Sequence, residues 1–348
     1  MKQEILLTVA IPNYNGGENL IRAIRSCRNI NLPVENFEIL LVDNCSTDNS
    51  VENAKKLLKE FPNLRIEINE KNLGRVGNWN RCLELARGKY LVFLFVNDEI
   101  TNDVDFKSAI QKLEEDEKIN IIFNRVRYIY DEKNIYETPK YYQDYAKIKT
   151  YNFIKEIFYK NADFVSFGIL QQHIYRMSVI KRNGIKFNEN VDRTTDRMFI
   201  CDVAFYDDGY IYFMNKIQIN WYLNENRYHY KTHINPGNID LIEAFNKSWG
   251  QELYANSYIL KKIGLSQIEI LRKHYEKFYY YNLSKRIRKI IIKGNVKTVD
   301  DITLPVFIKL LEINMDFWTK LNIKFLSYFK ILIRILKKFL KLFQKKDG

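Results

Sequence analysis

The sequence has few of the residues that staple a chain, break it or carry it through a membrane. Its four cysteines, Cys27, Cys45, Cys82 and Cys201, show no paired spacing. A disulfide scaffold is therefore excluded, and the thiols read as free in a reducing cytosol. Only 6 prolines and 13 glycines occur in 348 residues, so those that follow apolar runs stand out as turn signals. No run of about 18 apolar residues exists, which excludes an ordinary spanning helix. Met1-Lys2-Gln3-Glu4 leads straight into an apolar strand, so no secretory leader is expected. Acidic residues are outnumbered: 42 Asp and Glu against 55 Lys and Arg leave a formal charge of +13. That excess points to an anionic partner, whether nucleic acid, phosphorylated ligand or lipid surface.

What is present suffices for a full core. The hydrophobic fraction is 46%, with 24 Tyr and 22 Phe, and the length fits one large domain or a domain with an appendage. Three apolar runs set the plan. The first, Leu7-Thr8-Val9-Ala10-Ile11, stops at Pro12-Asn13-Tyr14-Asn15-Gly16-Gly17. The second, Phe37-Glu38-Ile39-Leu40-Leu41-Val42, ends in Asp43-Asn44-Cys45-Ser46-Thr47-Asp48. The third, predicted as a strand over 90–96, ends in Asn97-Asp98-Glu99. Continuous apolar runs read as strands buried on both faces, hence a parallel sheet. Helical patterns over 18–29, 50–61 and 77–87 separate them, giving an open doubly wound α/β sheet with helices on both faces. Polar residues gather at the strands' carboxyl ends, where such sheets bind ligands.

Further along, 64–68, 119–126, 211–214 and 218–223 read as strands. Helices are expected at 105–117 and 177–183. The stretch 128–158 is polar and tyrosine-rich without periodicity, and reads as a loop or lid; its tyrosines suit loop packing, with acceptor contact as the other reading. Trp79 reads as core packing. From about 239 the pattern is helical only, over 239–263, 266–293 and 304–322. In 324–346, Lys330, Arg334, Lys337, Lys338, Lys341 and Lys345 share one narrow helical arc, opposite a broad apolar face with no acidic interruption. The domain plan is thus 1–235, then a helical region 236–323, then a basic amphipathic helix 324–348.

In order and spacing, Val9 to Asn15, Leu41 to Asp48, Asn72-Leu73-Gly74, Gly77 to Arg81 and Tyr90 to Asp98 together resemble the family 2 glycosyltransferases of the GT-A fold. The resemblance is full over residues 4–125, thin to about 235, and absent from the tail. It implies an inverting, nucleotide-sugar-dependent transferase of the bacterial surface-polysaccharide type. It places Pro12 and Tyr14 at the nucleobase, with Tyr14 stacking on it, and Asp43 and Asn44 facing the base. Asn44, where a second Asp is common, leaves uridine and thymidine donors open. Asn72, Gly74, Arg75 and Asn78 fall near the donor diphosphate and sugar. The family's Asp-x-Asp metal motif falls on Phe95-Val96-Asn97, so this chain departs from it. Asn97 and Asp98 supply one neutral and one charged oxygen for a divalent cation, Mn²⁺ or Mg²⁺. Metal binding is then retained weakly, shifted by one residue, or lost. A late-loop histidine, His233 or His229, is the third candidate ligand.

Inverting transfer needs a carboxylate to take the acceptor hydroxyl's proton. The resemblance puts it at Thr195-Asp196, making Asp196 the expected base, with Asp192 and Asp202 as rivals. His173 and His274 carry no expected role. The implied reaction moves a sugar from a UDP- or dTDP-sugar to a hydroxyl of a glycan or lipid-linked acceptor. The rival reading is a non-catalytic sugar-nucleotide-binding or assembly module. A nucleotidyltransferase is disfavoured by the lack of an early Gly-rich, basic phosphate loop. The helix 324–346 is expected on an anionic membrane surface, making the protein cytoplasmic and peripheral on the inner face. Docking on protein is its other reading; the broad apolar face argues against nucleic acid.

Overall fold

The computed structural model describes residues 4–159, 168–191, 194–222, 255 and 258–264. The chain divides into two compact units, Met1–Leu241 and Ile242–Gly348. In the second, residues 258–261 are helical and Lys262 lies over the Tyr258 ring at 4.9 Å. His229, His233, His274, Asp192 and the whole segment 324–348 lie outside the described residues.

The first unit alternates strands and helices. Strands β1 (Leu7–Asn13) and β2 (Phe37–Asp43) are followed by helices α1 (Gly17–Ser26) and α2 (Ser50–Lys56). Then come β3 (Leu64–Ile68), α3 (Gly74–Leu85), β4 (Tyr90–Phe93) and β5 (Asp98–Ile100). Helix α4 (Phe106–Glu115) leads to β6 (Ile119–Ile129) and β7 (Ile135–Glu137). Strand β8 (Ala146–Lys149) runs into α5 (Thr150–Tyr159). Strand β9 (His173–Arg176), α6 (Met177–Arg182), α7 (Thr195–Phe205) and β10 (Tyr210–Tyr222) complete it. The sheet order is β3-β2-β1-β4-β9-β6-β10-β5, with β7 beside β6 and β8 beside β10.

β3, β2, β1 and β4 are mutually parallel. Every residue of β2 and β4 is buried, because helices cover both faces and leave no side of the strand to water. On one face Leu7, Val9 and Ile11 meet Leu20, Ile21 and Ile24 of α1 and Phe106, Ile110 and Leu113 of α4. Each such side chain contributes roughly 1.5–3 kcal/mol on leaving water. Helix α4 starts at Asp105, whose side chain accepts from the Ser108 N–H at 3.0 Å and caps the first turn. Beyond β4, strand β9 runs antiparallel to both β4 and β6, so the sheet is mixed.

Two expectations are corrected here. The strand predicted over 90–96 stops at Phe93: only the Leu94 N–H still reaches β1, at Ala10 O, 2.9 Å, before the chain turns. The stretch 128–158 is not one loop. It holds β7, β8 and α5, and Tyr141 and Tyr142 pack on Phe153, with Tyr142 also against Phe213. Aromatic packing rather than apolar periodicity holds this region, which is why it carried no period.

Candidate active site at the carboxyl edge

Three strands in succession end at an asparagine: Asn13 closes β1, Asn44 follows β2, and Asn69 follows β3. These amides tie the loops together. Asn13 is fully buried, and its Nδ2 donates to Asp43 Oδ1 at 2.6 Å and to Ser46 Oγ and Ser50 Oγ, both at 3.1 Å. Asp43, 1% exposed, also accepts from the Ser46 hydroxyl at 2.5 Å and the Ser46 N–H at 2.9 Å. The turn after β1 needs left-handed backbone at Asn15 (φ 52), a conformation asparagine tolerates. Asn15 Oδ1 accepts from the Thr47 N–H at 2.8 Å, joining the first loop to the second. Gly16 is required by closeness: a Cβ there would lie 2.3 Å from Asn13 Oδ1. Asp48 closes the loop by accepting from the Gly17 and Ser50 N–H groups, each at 3.0 Å. Partial burial would raise its pKa, but these bonds and the Ser50 hydroxyl outweigh it and hold the carboxyl below its ordinary value.

Asn44 links the second loop to the third. Its Oδ1 accepts from the Leu73 N–H at 2.8 Å and Asn69 Nδ2 at 3.1 Å; its Nδ2 donates to Asn72 Oδ1 at 2.9 Å and Gly74 O at 3.2 Å. Gly74, at φ 74, opens α3. Asn78 is buried one turn in, accepting from Asn69 Nδ2 at 2.8 Å and donating to Val42 O at 3.1 Å, so it ties α3 to β2. Pro12 lies within β1, opposite Val42. Tyr14, 52% exposed, stands beside this braced floor, and Asn72, Gly74 and Arg75 are exposed at its far rim. The Arg75 guanidinium lies over the Trp79 ring at 4.6 Å, and Trp79 stacks on Phe95 at 5.2 Å.

The 94–97 segment turns tightly, with the Asp98 N–H donating to Phe95 O at 2.9 Å. Asn97 Oδ1 accepts from Asn19 Nδ2 at 3.1 Å, and its carbonyl accepts from the Arg22 guanidinium at 3.4 Å. Asp98 is fully buried, with Oδ2 accepting from Gln171 Nε2 at 2.7 Å. Glu99 pairs with Arg22 at 2.7 Å and accepts from the Tyr222 hydroxyl at 2.9 Å. Burial and that bond to the Glu99 carboxylate raise the Tyr222 pKa. Among the described residues no three His, Cys, Asp or Glu side chains group to hold a metal. Asn97 Oδ1, Asp98 Oδ2 and both Glu99 oxygens are thus taken by protein N–H and O–H groups, a donor set that does not suit a divalent cation.

The expected base lies where α3 meets the 187–195 segment. Asn80 Nδ2 donates to Phe187 O at 3.1 Å and Glu189 Oε1 at 2.9 Å, and its Oδ1 accepts from the Phe187 N–H at 2.8 Å. Phe187 stacks on Phe199 at 4.1 Å and meets Trp79 and Phe93 edge-on. The Thr195 hydroxyl accepts from the Asn188 N–H at 2.7 Å. Asp196, half-buried in the first turn of α7, follows. Burial chiefly, and then the Asp196 charge, raise the pKa of the Tyr175 phenol. Asp202 is half-buried one and a half turns further along α7. His173 is fully buried and packs against Phe123 and Tyr175.

Asn13, Asn69, Asn80, Asn19, Arg22 and Gln171 were not singled out from the sequence. The first two carried a usable signal, an amide directly at the end of an apolar run. The others are distant in sequence from the groups they hold.

The family model described as glycosyl transferase family 2 matches residues 8–185. An uncharacterized glycosyltransferase of Escherichia coli, YibD, is 24% identical over 269 residues, covering 71% of this chain and 73% of that protein. The amylovoran biosynthesis glycosyltransferase AmsB of Erwinia amylovora is 32% identical over 37% of this chain and 44% of its own length. Among solved structures, S. aureus TarS 1-349 with UDP-GlcNAc superposes at a TM-score of 0.59, with 18% identity, over 88% of this chain and 80% of that one. The Pyrobaculum calidifontis mannosyltransferase PcManGT with GDP-Man and Mn²⁺ superposes at 0.51, with 12% identity, over 94% and 81%. At these identities the superpositions speak for the fold.

Proposed function

The chain belongs to glycosyl transferase family 2 and is a glycosyltransferase of the GT-A fold, and on that premise we propose that it inverts a sugar from a UDP- or dTDP-sugar onto a glycan or lipid-linked hydroxyl. The observation that carries the donor half is the Asn13–Asp43–Asn44 brace. It presets three loops around one cleft edge before any ligand arrives, with Tyr14 exposed at the side to stack on a base. TarS is solved with UDP-GlcNAc and PcManGT with GDP-Man, so the base is read by the nucleotide series below.

In this reading Asp196 takes the acceptor O–H proton. The oxygen then bonds to the anomeric carbon from the face opposite the leaving group. The carbon–oxygen bond to the diphosphate breaks, and the diphosphate keeps the electron pair. The positive end of the α3 dipole, with Arg75 in its first turn, would face the growing charge. No step is routed through a metal. AmsB acts in amylovoran biosynthesis, and a bacterial surface glycan is the product class we assign here. The basic segment 324–346, if it folds as its pattern expects, would hold the enzyme on the anionic inner face of the cytoplasmic membrane, where a lipid-linked acceptor is presented.

Thermal unfolding with UDP, dTDP, GDP and CDP, each with and without manganese, tests the donor reading. Selective stabilisation by UDP or dTDP is expected. Donor hydrolysis without acceptor then separates a transferase from a binding module, which lacks it. Truncation after residue 323 is expected to release the protein from vesicles containing anionic lipid, and equal binding would remove the anchor.

A further inference from the structure

We infer that this chain holds its donor diphosphate without a divalent cation, the turn at 97–99 being fastened by Asn19, Arg22 and Gln171 through the oxygens a cation would need. The inference rests on the donor reading above. A divalent ion at a diphosphate takes hard oxygen ligands and favours carboxylates. Here the turn presents Asn97 in place of a carboxylate, and the Asn97 side-chain oxygen accepts from Asn19 at 3.1 Å. Its backbone oxygen accepts from Arg22 at 3.4 Å. Glu99 has one oxygen on Arg22 at 2.7 Å and the other on Tyr222 at 2.9 Å. Asp98 points one oxygen to Gln171 at 2.7 Å and is fully buried.

The charge argument is independent of the bond count. The Arg22 guanidinium bridges Asn97 and Glu99 and stacks on the Tyr222 ring at 4.7 Å. A permanent cation thus already stands on the turn. It offsets the Glu99 carboxylate, so a dication here would meet only Asp98, buried and bonded to Gln171, with Asn97 offering no further negative charge. Asn19 and Arg22 sit one turn apart on α1, whose Leu20, Ile21 and Ile24 are locked in the core, so the fastening is rigid. These three residues act as positioning residues for the turn; contact with the donor is not required of them.

Calorimetric binding of UDP to the full chain, in excess EDTA and in excess manganese, tests this. Equal affinity within about twofold is expected. A loss of about tenfold or more in EDTA overturns the inference and leaves the transferase reading standing. Failure of all four nucleoside diphosphates to bind in either condition rejects the donor reading and this inference with it. The electron paramagnetic resonance signal of aqueous manganese supplies a second readout. Wild type with UDP should lower it no more than UDP alone, and a greater drop overturns the proposal. The double variant Arg22→Ala, Asn97→Asp should bind manganese in the presence of UDP. If it folds and binds none, Arg22 and Asn97 are not what excludes the ion. The wild-type measurements decide the question even if that variant does not fold.

Discussion

The two halves of the sheet reach the same edge by different means. Up to Phe93 the strands are parallel, follow one another as β-α-β, and end in loops cross-braced by Asn13, Asp43 and Asn44. From Leu94 to Tyr222 the directions are mixed: β9 inserts antiparallel between β4 and β6, β6 and β10 pair in parallel, and β10 is bulged around Asn215 at φ 58. There the loops are held by rings: Phe187 on Phe199, Trp79 on Phe95, Tyr142 on Phe213. A hydrogen-bonded brace fixes directions and suits a pocket that reads a base. Aromatic packing fixes volume.

Four substitutions sharpen or break this division. Asp196→Asn should cost the largest effect, a fall of about 10²–10⁴ in transfer, with nucleotide stabilisation retained. Full transfer by the variant would remove Asp196 as base. Phe187→Ala should lower stability by about 3–5 kcal/mol in denaturant unfolding, since a 2%-exposed ring packed on Trp79, Phe93 and Phe199 leaves a cavity. If it weakens UDP binding as much as stability, the halves are not separately organised. Asp43→Ala strands three donors, from Asn13 and Ser46, and should cost about 2–4 kcal/mol, with UDP stabilisation abolished. Tyr14→Ala should leave stability within about 0.5 kcal/mol. Its UDP affinity should fall by about 1–3 kcal/mol, the worth of one stacked base; unchanged affinity would place the base elsewhere.

The same contrast explains what could be read beforehand. β1 and β2 were legible because a strand buried on both faces is largely apolar, and the polar residue that follows marks its end. Tyr90 to Val96 misled for the same reason: Leu94, Phe95 and Val96 are apolar because they pack into the turn, with Phe95 stacked on Trp79. Helix α3 begins at Gly74, three residues before its expected start, because the Asn72 side chain and Gly74 at positive φ form the entry. The site was legible as a set of strand-end residues and not as a set of bonds. Asn78 was expected at the diphosphate, and its side chain is bonded to Asn69 and Val42 within the fold. Asn80 with Phe187, and Gln171 with Asp98, join residues far apart in the chain, which local pattern cannot couple.

Helix α3 has a mechanical consequence. Its 12 residues form a rod about 18 Å long. One end carries the loop at Gly74 and Arg75; its middle is bolted at Asn80 to the segment that leads to Asp196. A rod so fastened cannot roll or slide at one station without moving the other. A ligand seated against its first turn would therefore be felt at Asp196, the proposed base, through Asn80 and Phe187.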